Sequence, residues 1–199
     1  DLDWMVKEID RDRSRCPTRG CEAMYKRFGY KLPIGRDRFV ELAMQYGYRV
    51  RYPKSYKRAT QAGTRMFPNL LVGKVVSGVN QVWQGDMAHY LVGNKTFYTI
   101  YLTDVYSQEI VGYGAFESND ASSYISVLQK AIRKTKGYAG GSLEGLIHHS
   151  DGGKQYESKD YRRLCVGQGI KQSMCRYSWE NPYAEKTNDL INNGYLNVW

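Results

Sequence analysis

An α/β fold is the class this sequence predicts: a mixed five-stranded sheet flanked by helices and preceded by a small basic helical module. Three observations carry that expectation. Residues 1–80 hold 17 Lys and Arg against 8 Asp and Glu, whereas residues 81–199 hold 12 of each, so the formal charge of +9 sits entirely in the first part. Apolar residues recur at helical spacing before residue 51 and in strand-like runs from residue 81. Beyond residue 120 helical and strand patterns alternate, which suits a sheet with helices packed on it.

The first part divides at residues 51 and 80. Residues 17–28 (PTRGCEAMYKRF) mix apolar and basic residues at helical spacing after an initial Pro, and a Gly- and Pro-rich turn, GYKLPIG, follows. In RDRFVELAMQYG, Phe39, Leu42, Ala43 and Tyr46 form an amphipathic stripe. Two helices joined by a short turn, with Arg36, Arg38, Arg49 and Arg51 around the second, fit a helix-turn-helix-like DNA-binding module over residues 1–51. A generic helical hairpin fits the same pattern. Residues 52–80 lack a sustained period and are expected to be a basic linker.

From residue 81 three β-rich runs, QVWQGDMAHYLV, KTFYTIYLTDVYS and EIVGYGAFES, are expected to form an antiparallel meander. DASSYISVLQKAIRKTK follows as a helix capped by Asp120, with Tyr124, Val127, Leu128, Ala131 and Ile132 as its apolar stripe. LIHHS is a short strand, SKDYRRLCVGQG a helix, IKQSMC a strand and NPYAEKTNDLINNGYL a last helix. In the last helix Asn181 is placed to cap and Pro182 suits the first position. Tyr183, Thr187, Leu190, Ile191 and Tyr195 are expected to face the core, leaving Glu185, Asn188, Asp189 and Asn192 on the polar face.

Composition excludes some classes. No run approaches the roughly 20 apolar residues of a membrane span, and no secretory leader pattern opens the chain. Cys16, Cys21, Cys165 and Cys175 form no Cys-x-x-Cys pair and lack zinc-ligand spacing. Reduced thiols in a cytoplasmic protein are expected. The chain begins with Asp and stops straight after a helical pattern, as a piece of a longer protein would.

The stretch HHSDGGKQY (148–156) poses the chemical question. Along a strand His149 and Asp151 share one face, His148 and Ser150 the other. Asp151 ends the strand, and Gly152 and Gly153 let the backbone turn and a bulky group approach. An Asp that starts a turn is ordinarily just a turn residue, but Asp86 lies within an apolar strand, where a carboxylate is costly unless paired or metal-bound. Asp104 competes for that role, although its place at a hairpin favours a structural one. Glu185, in the first turn of its helix, could simply offset the helix dipole. Taken together, Asp86, Asp151 and Glu185 offer hard carboxylate oxygens from three elements, a set that suits Mg²⁺. Two such ions about 4 Å apart can drive an in-line phosphodiester displacement, for which the basic block would hold the polyanion.

At these residues the chain resembles the DDE transposases of bacterial insertion sequences, with their retroviral-integrase-like core. The resemblance rests on NQVWQGDMAHY, FYTIYLTDVYSQEIVGY, IHHSDGGKQY, YRRLCVGQGIKQSM and ENPYAEKTNDLINNGYL, from about residue 66 to the end. It implies an RNase H-like fold over residues 81–199 and a triad of Asp86, Asp151 and Glu185, the last two separated by 33 residues. It also implies Mg²⁺ as cofactor with Mn²⁺ as substitute. The partners implied are DNA, as element ends and target, and further copies of the chain during synapsis, with no membrane. By the same resemblance Lys154, Gln155, Asn188 and Asn192 join the four arginines as DNA contacts, and the location is the bacterial nucleoid. His149 either orients Asp151 or a bound water, or is simply hydrogen-bonded in the sheet edge. The sequence departs from the family pattern at Ala88, His89, Glu180, Asn192 and Gly194. The rival readings are a nuclease of the same fold that only hydrolyses and a non-catalytic DNA-binding protein.

Overall fold

The structure, a computed structural model, describes residues 2–50, 66–92, 94–138, 141–175, 177 and 180–191. It divides into two compact units, Asp1–Tyr56 with Asp189–Trp199, and Lys57–Asn188. In the first unit lie α1 (Leu2–Arg13), α2 (Cys21–Phe28), a short 3-10 turn (Gly29–Lys31) and α3 (Arg36–Gln45). Met5, Ile9, Met24, Phe28, Phe39 and Ala43 form their common core. Phe28 meets Phe39 edge-on with ring centroids 5.8 Å apart. α3 starts where its periodicity predicts, although Tyr46 at the end of its stripe is exposed. α1 is absent from the sequence expectation. Its apolar stripe, Met5 and Ile9 one turn apart, is narrow among charged residues and becomes legible only once α2 and α3 offer it a surface.

The second unit holds β1 (Val82–Val92), β2 (Lys95–Asp104), β3 (Ile110–Phe116), α4 (Ala121–Lys136), β4 (Ile147–Ser150), α5 (Lys159–Gly167) and β5 (Lys171–Met174). α6 (Pro182–Ile191) follows. The sheet order is β3-β2-β1-β4-β5, with β1–β2–β3 antiparallel and β1–β4–β5 parallel. This is the expected RNase H-like mixed sheet, and its strands lie where the alternation places them. Asp120 caps α4, its side chain accepting from the Ser123 N–H, and Ser158 caps α5 in the same way.

The sheet has two different faces. On one, Trp83, Ile100 and Leu102 pack with Tyr124, Val127, Leu128 and Ala131 of α4 and Tyr161 and Cys165 of α5. α4 lies so close to β3 that a Cβ on Gly112 would stand 2.7 Å from the Val127 carbonyl oxygen and 3.0 Å from the Ala131 Cβ. On the other face Val82, Val105 and Ile147 gather Leu70, Leu71, Val76 and Tyr183. Residues 66–80 of the expected linker are therefore packed chain: the Leu70 N–H donates to Ser173 Oγ at 2.9 Å. They carry no period because their apolar residues reach the sheet without a regular helix or strand. Residues 52–65 lie outside the described residues. None of the four cysteines is in a disulfide, and all four are buried. Among the described residues no helix is long and apolar enough to cross a membrane.

Two stability measurements test this packing. Gly112→Ala should cost about 1–3 kcal/mol through overpacking, read as a lower urea midpoint at unchanged slope; an unmoved midpoint would refute the close approach of α4. His148 is buried beside Tyr161, its Nε2 3.0 Å from the phenol oxygen, and burial pushes its imidazole down from 6.5 to about 4. Between those values the unfolded chain takes up a proton that the folded chain refuses. The stabilisation is thus complete above 6.5 and is lost as pH falls toward 4. Burial shifts His149 in the same direction, so His148→Gln should reduce this acid slope without abolishing it. A slope identical to wild type would count against a buried neutral His148.

Candidate active site

The parallel pairing of β1 with β4 sets the site. Val82 lies opposite Ile147, Gln84 opposite His149 and Gly85 opposite Ser150. Asp86 is the next residue of β1, on the face of Gln84, and Asp151 follows Ser150 directly after β4, near enough for its charge to act on Asp86. The opposite face at this point is filled. A Cβ on Gly85 would stand 2.9 Å from Leu102 Cδ2 and 3.1 Å from the Tyr156 hydroxyl. The core beneath the carboxylates is therefore dense. Asp151 also closes its own turn, accepting from the Gly153 N–H at 3.2 Å. A Cβ on Gly153 would come within 3.0 Å of that same Asp151 oxygen, so a glycine is needed where a carboxylate folds back over its loop.

α6 brings the third carboxylate to this face. The Asn181 Nδ2 donates to the Gly85 carbonyl at 3.0 Å. The N–H groups of Tyr183 and Ala184 reach Gln84 Oε1 at 2.9 and 3.4 Å. One turn further, Asn188 Nδ2 donates to Asp86 Oδ2 at 2.5 Å, and Thr187 meets Thr103 at 3.1 Å. Glu185 lies between these anchors and is half-buried. Two expectations are corrected here. Of the expected stripe Tyr183 packs against the core and Thr187 meets Thr103, but Leu190 is 68% exposed and the buried residues of α6 are Ala184 and Asn188; Tyr195 lies outside the described residues. Asn181 holds the N-cap position through its carbonyl, which accepts from the Glu185 N–H, but its side chain turns to β1 and Gln84 receives the first-turn amides. The polar rim of β1 gives those amides partners, and this outweighs the apolar stripe.

The electrostatics are those of crowded acids. Burial, and then the charge of Asp151, push the Asp86 carboxyl up from 3.8 to about 7; Glu185 adds to the rise, while hydrogen bonds from Met87 and Asn188 oppose it. Burial raises Asp151 as well. Such a set of hard oxygens, disfavoured in its charged form, fits a divalent cation chemically. Among the described residues, no three His, Cys, Asp or Glu side chains close into a cage that could hold a metal ion. Asp86 and Asp151 directly follow the last β1–β4 pair, and Glu185 is near enough to act on Asp86 through its charge.

The remaining expected residues are dispersed. Asn188 is buried, with its amide committed to Asp86 and its Oδ1 without a partner. His149 is fully buried, and its Nδ1 lies 2.8 Å from Ser173 Oγ of β5; that is the sheet-held alternative rather than a bond to Asp151. Gly152 is half-buried in the bend after Asp151, and Lys154 is exposed beyond it. Gln155 donates to the Asn119 carbonyl at 3.1 Å. Asp104, the competing carboxylate, is a buried turn residue satisfied by the Asn80 N–H and by Ser107. Trp83 and Tyr156 belong to the core. In the first unit Arg36 and Arg38 are exposed and paired with Asp37 and Glu41, and Arg49 is exposed. Arg51 and Asn192 lie outside the described residues. Gln84 escaped the sequence reading, although a buried amide two residues before Asp86 on the same strand face was a readable signal.

Several known proteins are similar to this chain. An uncharacterised 31 kDa protein of insertion element IS600 from Shigella sonnei is 32% identical over 146 residues, 72% of this chain and 52% of that protein. A putative transposase of IS986/IS6110 from Mycobacterium tuberculosis is 28% identical over 56% of this chain and 41% of its own length. The chain thus spans about half the length of the curated relatives it matches. Among solved structures, the HTLV-2 integrase catalytic core domain in complex with magnesium aligns with a TM-score of 0.47 at 21% identity, covering 65% of this chain and 70% of that one. The integrase core domain matches residues 76–178, slightly more than half of the sequence, from the edge of β1 to beyond β5. The chain belongs to the integrase core domain family.

Proposed function

We propose that this chain is the catalytic portion of a DNA transposase that cleaves phosphodiester bonds at element ends and transfers the exposed 3′-hydroxyl into target DNA. The observation that supports the proposal is the parallel pairing of β1 with β4 up to Gly85 and Ser150, which Asp86 and Asp151 directly follow, with Glu185 of α6 near enough to act on Asp86 through its charge. These three residues would hold Mg²⁺, with Mn²⁺ as substitute. When bound, the ions activate a water or sugar hydroxyl and stabilise the leaving oxygen.

The chain's own residues supply position and surroundings. Asn188 fixes one oxygen of Asp86 and the Met87 N–H fixes the other, so that carboxylate cannot swing away. The Asp151 carboxylate closes its own turn on the Gly153 N–H, and the glycines there add no side chain that would crowd an approaching nucleic-acid backbone. Lys154, exposed just past that turn, is placed to neutralise a phosphate, with Gln155 beside it. Arg36, Arg38, Arg49 and Arg51 would bind the DNA backbone from the helical unit. The ion pairs of Arg36 and Arg38 are surface pairs worth little, readily exchanged for phosphates with release of counterions. Asn192 is a further proposed contact. Joining two DNA ends implies a homo-oligomer, acting at the nucleoid in the cytoplasm.

Two experiments bear on this reading. With labelled duplexes carrying the element's ends and a plasmid target, Asp86→Asn, Asp151→Asn and Glu185→Gln should each lower Mg²⁺-dependent nicking and joining by at least about 100-fold. DNA affinity should stay within a few-fold. Full cleavage by any of the three removes that residue from the triad, and nicking without joining identifies a hydrolytic nuclease. In a thermal melt, Mg²⁺ alone should stabilise the wild-type chain by mass action and leave Asp86→Asn unmoved. Equal shifts for both would place the ion elsewhere.

A further inference from the structure

We propose that Gln84 is a positioning residue: its amide oxygen caps helix α6 from the neighbouring strand and thereby sets where Glu185 stands relative to Asp86. This rests on the ion-holding role proposed for Glu185. Gln84 is 2% exposed and lies two residues before Asp86 on the same face of β1. Its Oε1 receives the N–H groups of Tyr183 and Ala184, the second and third residues of α6. The first-turn amides of a helix have no partner within the helix, and here Ala184 is buried at 1% exposure, so water is a poor substitute. The side chain that stands at the N-cap position does not fill the need: Asn181 turns toward β1, donating its Nδ2 to the Gly85 carbonyl, and its buried Oδ1 accepts no hydrogen bond.

The capping oxygen is thus supplied across a tertiary contact. That makes the helix start and the metal-facing strand one rigid joint. Glu185 is the residue directly after the capped amides, whereas its own N–H bonds the Asn181 carbonyl. Beyond the cap, α6 is held by the polar contacts of Asn181 with Gly85, Thr187 with Thr103 and Asn188 with Asp86. Its apolar anchors are Tyr183 and Ala184, and Leu190 points outward. Losing the cap frees the first turn to shift, and with it the carboxylate one residue on. Partners behind metal ligands commonly control affinity in this way.

The full chain can be tested with Mg²⁺ alone as probe, by calorimetric titration alongside amide hydrogen exchange. In the wild type the Tyr183 and Ala184 amides should exchange on the order of 100-fold more slowly than in unstructured chain; free exchange overturns the cap without any variant being made. Gln84→Met, which keeps the volume and removes the acceptor, should expose those two amides and weaken Mg²⁺ binding about tenfold. Gln84→Glu, which restores an acceptor oxygen, should keep both amides protected. A folded Gln84→Met chain that binds Mg²⁺ as tightly as wild type sinks the proposal. Absence of saturable Mg²⁺ binding in the wild type with both amides protected would instead overturn the metal reading and leave the cap standing.

Discussion

The parallel ladder between β1 and β4 is the constraint on which the rest depends. Side chains in a ladder alternate with a period of two, so a slip of one residue would send Asp151 to the face occupied by His148 and Ser150. What prevents the slip is core packing remote from the acids. Trp83 and Leu146 are fully buried, Gly85 has no room for a side chain, and Val82 faces Ile147 on the opposite side. A hydrophobic register problem and a chemical placement problem are solved by the same pairing.

Against that ladder the acids are energetically uncomfortable. Asp86 reaches a pKa near neutrality because its charged form is penalised first by burial and then by Asp151. Folding tolerates this because the surrounding hydrogen bonds are good: Met87 and Asn188 both donate to Asp86, and Gly153 donates to Asp151. Contrast Asp104, buried more completely and satisfied by the Asn80 N–H, 24 residues away, and by Ser107 in its own turn. One carboxylate is a structural brace with its valences filled, and the other is a group held in a state that invites a cation. The hairpin position of Asp104 already favoured the structural role in the sequence, and the donors around it bear that out.

Much of this was legible in the sequence because period and punctuation act locally. The five strands, α4 with its Asp120 cap, and α3 follow from alternation, a 3.6-residue stripe and turn residues. Asp86 stood out as a charge in an apolar strand and Asp151 as a strand-end acid before glycines. What resisted reading depends on partners distant in the chain. α1 needs the surface of α2 and α3. The inward turn of Asn188 needs Asp86, 102 residues away, and Gln84 becomes a cap because the Asn181 side chain turns to β1 rather than to the first-turn amides. Residues 66–80 read as linker because irregular chain can be buried without leaving a period. Stripe analysis assumes that apolar faces point inward, and α6 breaks that assumption where polar groups on β1 offer better company.

The polar seating of α6 has a thermal consequence. A helix fastened to its sheet by a few amide and hydroxyl contacts, with a small apolar footprint, belongs among the parts of a protein that open first. The sheet beneath is sealed by Trp83, Leu128 and Leu146 and has far more to lose by opening. Warming would therefore part Glu185 from Asp86 and Asp151 while most of the fold persists, a local change that reverses on cooling.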